Sequence, residues 1–299
     1  MFVIKHRKIF ITISVTLVVL AIVAISVFGL KLGIDFKGGA LTEIVYTQNY
    51  PEINLVQESI KGINIGEALV QPTGEKGYII KTRDLTDAER SGLFSALSIS
   101  NQYNFEEKSF TSIGPSVGQE LKRKAIISII LVVLAIILFI AFAFRSVSRP
   151  VSSWKYGVIA VLALLHDIAI PTGIFALLGR FKGAEVDTLF VVALLTILGL
   201  SISDTIVVFD RIRENIRLRI APTFEETVGK SLNQAYTRSI NTSLTVILVL
   251  LALLFFGPES TKYFALTLTA GMFFGTYSSI FLASPLLTMV EAWQKRKQK

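Results

Sequence analysis

Six apolar runs divide this chain: Ile9–Leu30, Ala125–Phe144, Tyr156–Leu178, Leu189–Phe209, Ile240–Phe256 and Phe264–Val290. A helix of about twenty residues, rising 1.5 Å per residue, crosses the hydrocarbon core of a bilayer, and a helix satisfies its own backbone polar groups there. The expected fold class is therefore an α-helical polytopic membrane protein with six transmembrane helices. The first run follows Lys5, His6, Arg7 and Lys8, as the core of a signal peptide would. It is longer than the roughly 7–15 residues of such a core and no small-residue cleavage site closes it, so it reads as a retained anchor.

The net charge of +8 would suit nucleic acid if the basic residues formed one groove-sized patch, but they flank the apolar runs instead. Arg145, Arg149 and Lys155 lie between spans two and three. Arg211, Arg213, Arg217, Arg219, Lys230 and Arg238 lie between spans four and five, and Lys295, Arg296, Lys297 and Lys299 end the chain. The connections near Arg180–Glu185 and Gly257–Lys262 are poorer in net positive charge. The positive-inside rule then expects both termini in the cytoplasm; Lys122, Arg123 and Lys124 end a long translocated segment, where loop charge weighs little. The organisation expected is a cytoplasmic start and first span (1–30), an extracytoplasmic domain (31–121), a bundle of five spans (122–290) with a cytoplasmic connection at 210–238, and a basic tail (291–299).

The domain has soluble composition. Ala40–Thr47 carries the β-branched residues of a strand, and Pro51–Ile63 spaces Ile53, Val56, Ile60 and Ile63 as a helix does. Ala68–Gln71 and Tyr78–Thr82 flank Pro72, Gly74 and Gly77, a strand–turn–strand signal. Thr86 and Glu89 make a capping box that opens a helix with Leu93, Phe94 and Leu97, and Tyr103–Ile113 closes with a strand. The order β-α-β-β-α-β predicts a small α+β, ferredoxin-like fold between helices one and two.

The absence of cysteine excludes disulfides and thiolate metal sites, and two histidines, His6 and His166, make no zinc cluster. No phosphate-binding loop, nucleophile elbow or dinucleotide fingerprint is present, so the chain is expected to be no enzyme and to hold no cofactor or metal.

Chemistry is concentrated in the few polar groups inside the spans. Asp204 interrupts the fourth, and a carboxylate at the middle of a bilayer costs roughly 2.5–3.5 kcal/mol on insertion scales unless it finds a partner, a proton or a wet cavity. Ser201, Ser203 and Thr205 stand beside it as supporting hydroxyls, Ser201 one helical turn away on the same face. The working reading is an ion- or proton-carrying acid; the plain one is a structural carboxylate paired with an arginine. Asp167, next to His166 and followed by Pro171, either carries protons or fixes packing near a proline kink. Arg238, two residues before span five, either reaches inward to Asp204 or only sets topology. Gly271, Gly275, Ser279 and Ala283 recur every four residues along span six, a stripe expected to serve close helix packing.

Two longer motifs carry a resemblance. Gly33-Ile34-Asp35-Phe36-Lys37-Gly38-Gly39 follows span one, and Asp204-Thr205-Ile206-Val207-Val208-Phe209-Asp210-Arg211-Ile212-Arg213-Glu214-Asn215 leaves span four. With His166-Asp167 and Leu232-Asn233-Gln234 they resemble the SecF branch of the SecD/SecF family over nearly the whole chain. The small domain favours that branch. The resemblance implies half of a resistance-nodulation-division (RND) type transporter, completed by a SecD subunit in the cytoplasmic membrane of a bacterium or archaeon. It implies a role beside the Sec translocon channel, where the proton motive force promotes late steps in the passage of unfolded secretory polypeptides. It also implies that Asp204 and Arg238 couple proton flow to motion, and that Gly33, Asp35, Gly38 and Gly39 form a structural turn into the domain. Sodium would suit a carboxylate among hydroxyls as well as protons do. Two rival readings are an exporter of lipids or drugs on the same architecture, and a non-transporting scaffold.

Overall fold

A computed structural model of the chain describes residues 2–143 and 151–297. Phe144, and Arg145, Arg149 and Lys299 among the basic residues used above, lie outside them. The chain opens with α1 (Phe2–Lys5) and α2 (Arg7–Phe28). After a single turn, α3 (Ile34–Lys37), come β1 (Gly39–Tyr46), α4 (Ile53–Lys61), β2 (Leu69–Thr73), β3 (Gly77–Thr82), α5 (Asp87–Leu97) and β4 (Phe105–Ile113). Then follow α6 (Pro115–Ala143), α7 (Ser153–Phe181), α8 (Thr188–Arg217), α9 (Phe224–Phe256), α10 (Lys262–Ser278) and α11 (Ser284–Lys297), the last two joined through a π-turn at Ser279–Ala283. Among the described residues, six helical stretches are long and apolar enough to cross a membrane, α10 and α11 counting as one. The chain is a multi-pass membrane protein.

The helices outrun the apolar runs because polar turns continue them. α8 goes on past Phe209 to Arg217, and α9 begins at Phe224, so Leu232–Arg238 is helical. Arg211 and Arg213 pair along the α8 extension with Glu214 and Asp210 at a spacing of three residues.

Two compact units are present, one of them Leu32–Ile126 together with Glu185–Thr188. Its sheet has the order β2-β3-β1-β4 with every neighbour antiparallel, the arrangement a split βαβ fold requires. Alternation along β1 turns Ala40, Thr42, Ile44 and Tyr46 inward, and Ile44 and Tyr46 share a core with Val56 and Ile60 of α4 and Leu93 and Leu97 of α5. The Tyr46 hydroxyl donates to the Leu97 carbonyl at 3.0 Å and that of Tyr78 to Pro51 at 2.8 Å. Burial pushes both phenols up, so they remain donors. Pro72, expected in a turn, instead lies within β2, which tolerates it because β2 is a sheet edge. The last strand begins at Phe105 rather than Tyr103, after a left-handed run at Ile99, Ser100 and Asn101.

The capping box forms reciprocally at the start of α5: Glu89 accepts from the Thr86 backbone at 2.9 Å, and the Thr86 hydroxyl accepts from the Glu89 backbone. Arg83 forks onto the same carboxylate and, as the largest cause, holds it down to about 2 from 4.5. A depressed carboxylate stabilises the fold above its unfolded value and loses that contribution as pH falls from about 4.5 through about 2. Protection of the first α5 amides against hydrogen exchange, corrected for intrinsic rates, is expected to fall across that window in the native chain and to be flat there in Glu89→Gln. A native profile that is flat as well would contradict the pairing.

In the other unit α7 packs on α2 where Gly173 meets Ala21; a Cβ on Gly173 would fall 2.6 Å from the Ala21 Cα. Arg7 pairs with Glu225 at the start of α9 and donates to Thr288 of α11 at 3.2 Å, which gathers the amino terminus, the α8–α9 connection and α11 at one end of this unit.

Candidate functional site

Two prolines disturb the helices that carry the polar core. A proline lacks its N–H and crowds the carbonyl four residues back. Pro171 does this to Asp167 on α7, and Pro285 does it to Phe281, inside the π-turn. The π-turn adds one residue to the helical winding, and the Ser284 hydroxyl donates to the Ser279 carbonyl across it at 3.0 Å. At that irregular point two consecutive serines serve two different carboxylates.

Asp167 is fully buried, with 0% exposure. Its Oδ2 accepts from the hydroxyls of Ser201 on α8 and of Ser278 on α10, the latter at 2.8 Å, and its Oδ1 lies 2.8 Å from Nδ1 of His166. His166 is stacked against Tyr277, with centroids 6.1 Å apart. Asp204 is half-buried. Its Oδ1 accepts from Ser239 of α9 at 2.5 Å and its Oδ2 from Ser279 at 2.7 Å. Three helices thus converge on two acids through four serines, a fully hydrogen-bonded arrangement that a low-dielectric interior demands of buried charge.

Several expectations change here. Ser201 was expected beside Asp204, and its hydroxyl goes to Asp167 instead, because the α8 face it occupies is turned to α7. Ser279 belongs to the small-residue stripe yet acts as a donor to Asp204. The stripe itself packs closely: a Cβ on Gly271 would strike Ile197, and one on Gly275 would lie 3.2 Å from the Ser201 Cβ. Ala283 is fully buried in the same core. No ion pair joins Arg238 to Asp204 among the described residues. The exposed Arg238 and the acid instead line one cavity of about 120 Å³ with Ser201, Ser203, Ser239 and Thr242, enough room for several waters. Thr205 is buried and Ser203 exposed. Sequence reasoning missed Ser239 and Ser278; the only available sign was a hydroxyl pair, Ser278-Ser279, in an apolar helix.

The Gly33–Gly39 stretch folds as a tight turn for steric reasons. Gly38 (φ 80°) and Gly39 (φ 140°) occupy left-handed backbone, and a Cβ there would come within 2.8 Å of Pro115 Cα and 2.7 Å of the Thr82 carbonyl. Gly33 donates its N–H to Val186 at 2.8 Å, and the Asp35 carboxylate accepts the Thr188 N–H at 2.8 Å.

Comparison with known proteins bears directly on these features. The family model described as "Protein export membrane protein SecD/SecF, C-terminal" matches residues 94–293, and the "SecD/SecF GG Motif" matches residues 23–49. Protein translocase subunit SecF of Thermobaculum terrenum is 42% identical over 98% of this chain and 94% of its own length. The chain belongs to the SecF family. SecF of Anaerolinea thermophila is 35% identical over 98% of this chain and 96% of its own. The crystal structure of SecDF, a translocon-associated membrane protein from Thermus thermophilus, superposes with a TM-score of 0.81 at 32% identity, covering 98% of this chain and 38% of that one. As a SecF-family chain this protein is a subunit of the protein-export machinery, a translocase component and not an enzyme. The glycine pair for which the motif is named is the one whose backbone leaves no space for a side chain.

Proposed function

We propose that this SecF-family chain works with a SecD subunit at the Sec translocon, using proton entry at Asp204 to promote late steps in the export of unfolded secretory polypeptides. The observation that carries the reading is the state of Asp204: an acid within a membrane span, on a water-sized cavity shared with Arg238, held by two serine hydroxyls and, among the described residues, by no cation. An ionised Asp204 accepts from both serines. Once protonated it becomes a donor as well, so one of those hydroxyls must turn away or accept. Ser279 has an alternative acceptor at hand, the Thr276 carbonyl of its own helix at 3.0 Å. Proton binding therefore reverses or breaks the Ser279 contact that ties the π-turn to α8, and it removes the negative partner of the cavity that Arg238 lines. A unit charge moved across the whole membrane is worth about 2.3 kcal/mol per 100 mV, sufficient to bias two packings of one bundle.

Exposed polar side chains on α8 and α9, Ser203, Arg238 and Thr242, support a protein partner, because lipid does not satisfy them. SecD is the partner proposed. The gathering of Arg7, the α8–α9 connection and α11 at one basic end supports cytoplasmic termini, with the Leu32–Ile126 domain extracytoplasmic.

The test is a pulse-chase of one secretory precursor in cells whose only copy is Asp204→Asn, at matched membrane level. Slowed maturation, roughly tenfold or more, is expected if the acid drives the step. Maturation at the native rate would remove Asp204 from the mechanism.

A further inference from the structure

We propose that Asp167 and His166 form a second, internal proton-holding site, filled from the Asp204 cavity through the Ser201 hydroxyl. The inference rests on the reading of Asp204 as a proton-binding group and extends it to a pair that lies deeper in the bundle.

Ser201 is the link. It lines the cavity beside Asp204, and its hydroxyl donates to Oδ2 of Asp167, so one side chain faces both the wet space and the buried acid. Gly275 leaves room for it, since a Cβ there would lie 3.2 Å from the Ser201 Cβ. The second observation is an orphan: Nε2 of His166 is buried with no hydrogen-bond partner among the described residues, in a side chain only 2% exposed. A histidine retained only for packing would be served as well by phenylalanine, and a carboxylate retained only for packing is already satisfied by Ser201 and Ser278.

Charge counting points the same way. With His166 neutral and Asp167 ionised the pair carries a net negative charge in a dry interior, where one added proton makes it neutral overall. The groups around it are Ser201 and, one turn on, Asp204 from α8, and Tyr277 and Ser278 from α10; the one basic side chain in contact with Asp167 among the described residues is His166. Among the described residues no lysine or arginine pairs with the acid.

The transfer balances without any co-reactant. Ser201 Oγ takes a proton from cavity water as its own hydroxyl proton passes to Asp167 Oδ2. Asp204 gives its proton to that water and becomes a carboxylate. The serine and the water are unchanged after reorientation, and the Asp167–His166 pair has gained one proton, shared across the 2.8 Å contact between Oδ1 and Nδ1.

The test is a pH jump on the full chain in lipid nanodiscs, followed by infrared absorption of the carboxylic-acid carbonyl and of the imidazolium ring. Two components are expected in the native chain. Asp167→Asn and His166→Gln should each abolish the same slower component, because it is one shared proton, while the component lost in Asp204→Asn stays in both. Ser201→Ala should keep the amplitude of the slower component and slow it roughly tenfold or more, with Ser201→Thr restoring the rate. A slower component that survives Asp167→Asn, or that keeps its rate in Ser201→Ala, overturns the proposal. Should Asp167→Asn fail to assemble, the Ser201 pair of variants decides alone. Failure of the Asp204 reading has a different signature: export and the faster component both unaffected by Asp204→Asn.

Discussion

Replacing Asp167 by leucine is expected to cost the bundle about 3–5 kcal/mol, against a much smaller loss for asparagine. Leucine has the branching of the acid with bulkier methyl groups in place of its oxygens, so lost hydrogen bonding and overpacking add. At 0% exposure no water replaces the lost acceptor, and the hydroxyls of Ser201 and Ser278 and the Nδ1 of His166 all lose their common partner. Each orphaned donor costs about 1–3 kcal/mol. Some of this is recovered, because Ser278 already shares its proton with the Gly275 carbonyl at 3.0 Å and the desolvation of a carboxylate is no longer required. Asparagine keeps one acceptor oxygen in place and so holds at least one serine. Unfolding of the purified chain in mixed micelles, titrated with a denaturing detergent, measures both variants. Equal stabilities for leucine and asparagine would mean that the serines have other acceptors and that the cage around Asp167 is incidental.

How much of this site was legible in the sequence depends on the range of the interaction. The six spans follow from a local property, apolar length, and were readable with only their ends in error, since polar turns such as Asp210–Arg217 prolong α8 without any change in hydropathy that marks a helix end. The strand and helix order of the domain was readable for the same reason: alternation in β1 and the Thr86–Glu89 box are decided within a few residues. The partners of the acids were not. Ser239 and Ser279 reach Asp204 across 35 and 75 residues, and which hydroxyl faces which carboxylate is set by the rotation of one helix against another. That is why a same-face argument could put Ser201 beside Asp204, whose cavity it lines, and still miss that its hydroxyl serves Asp167. Ser279 was hidden for another reason, since a serine in a small-residue stripe looks alike whether it packs or donates. Only Pro285, four residues beyond Phe281, marks the helix there as irregular. Nothing in the periodicity announces that Glu185–Thr188 joins the distant domain through Gly33, Asp35 and Lys81.

The second large effect is expected at Gly271, where α10 lies against α8. A Cβ there would fall 2.2 Å from both Cγ1 and Cδ1 of Ile197, a side chain only 1% exposed and so without space to swing aside. Gly271→Ala should therefore force the helices apart or drive Ile197 off its rotamer, at about 1–3 kcal/mol. Ile197→Ala alone removes the obstructing atoms and leaves a cavity, at about 2–5 kcal/mol. Together the two changes fit, since the new methyl enters the space the isoleucine vacated, and the double variant should be more stable than the sum of the single losses by at least about 1 kcal/mol. The functional consequence follows from the same geometry. Ser278 and Ser279 stand about two turns further along, so a helix pushed away from α8 takes Ser279 from Asp204 and disturbs the neighbouring contact of Ser278 with Asp167 on α7. Export of a secretory precursor should accordingly fail in Gly271→Ala and recover in the double variant. Additive stabilities, or export that stays impaired when stability returns, would show that the contact between α8 and α10 is not what positions the serines.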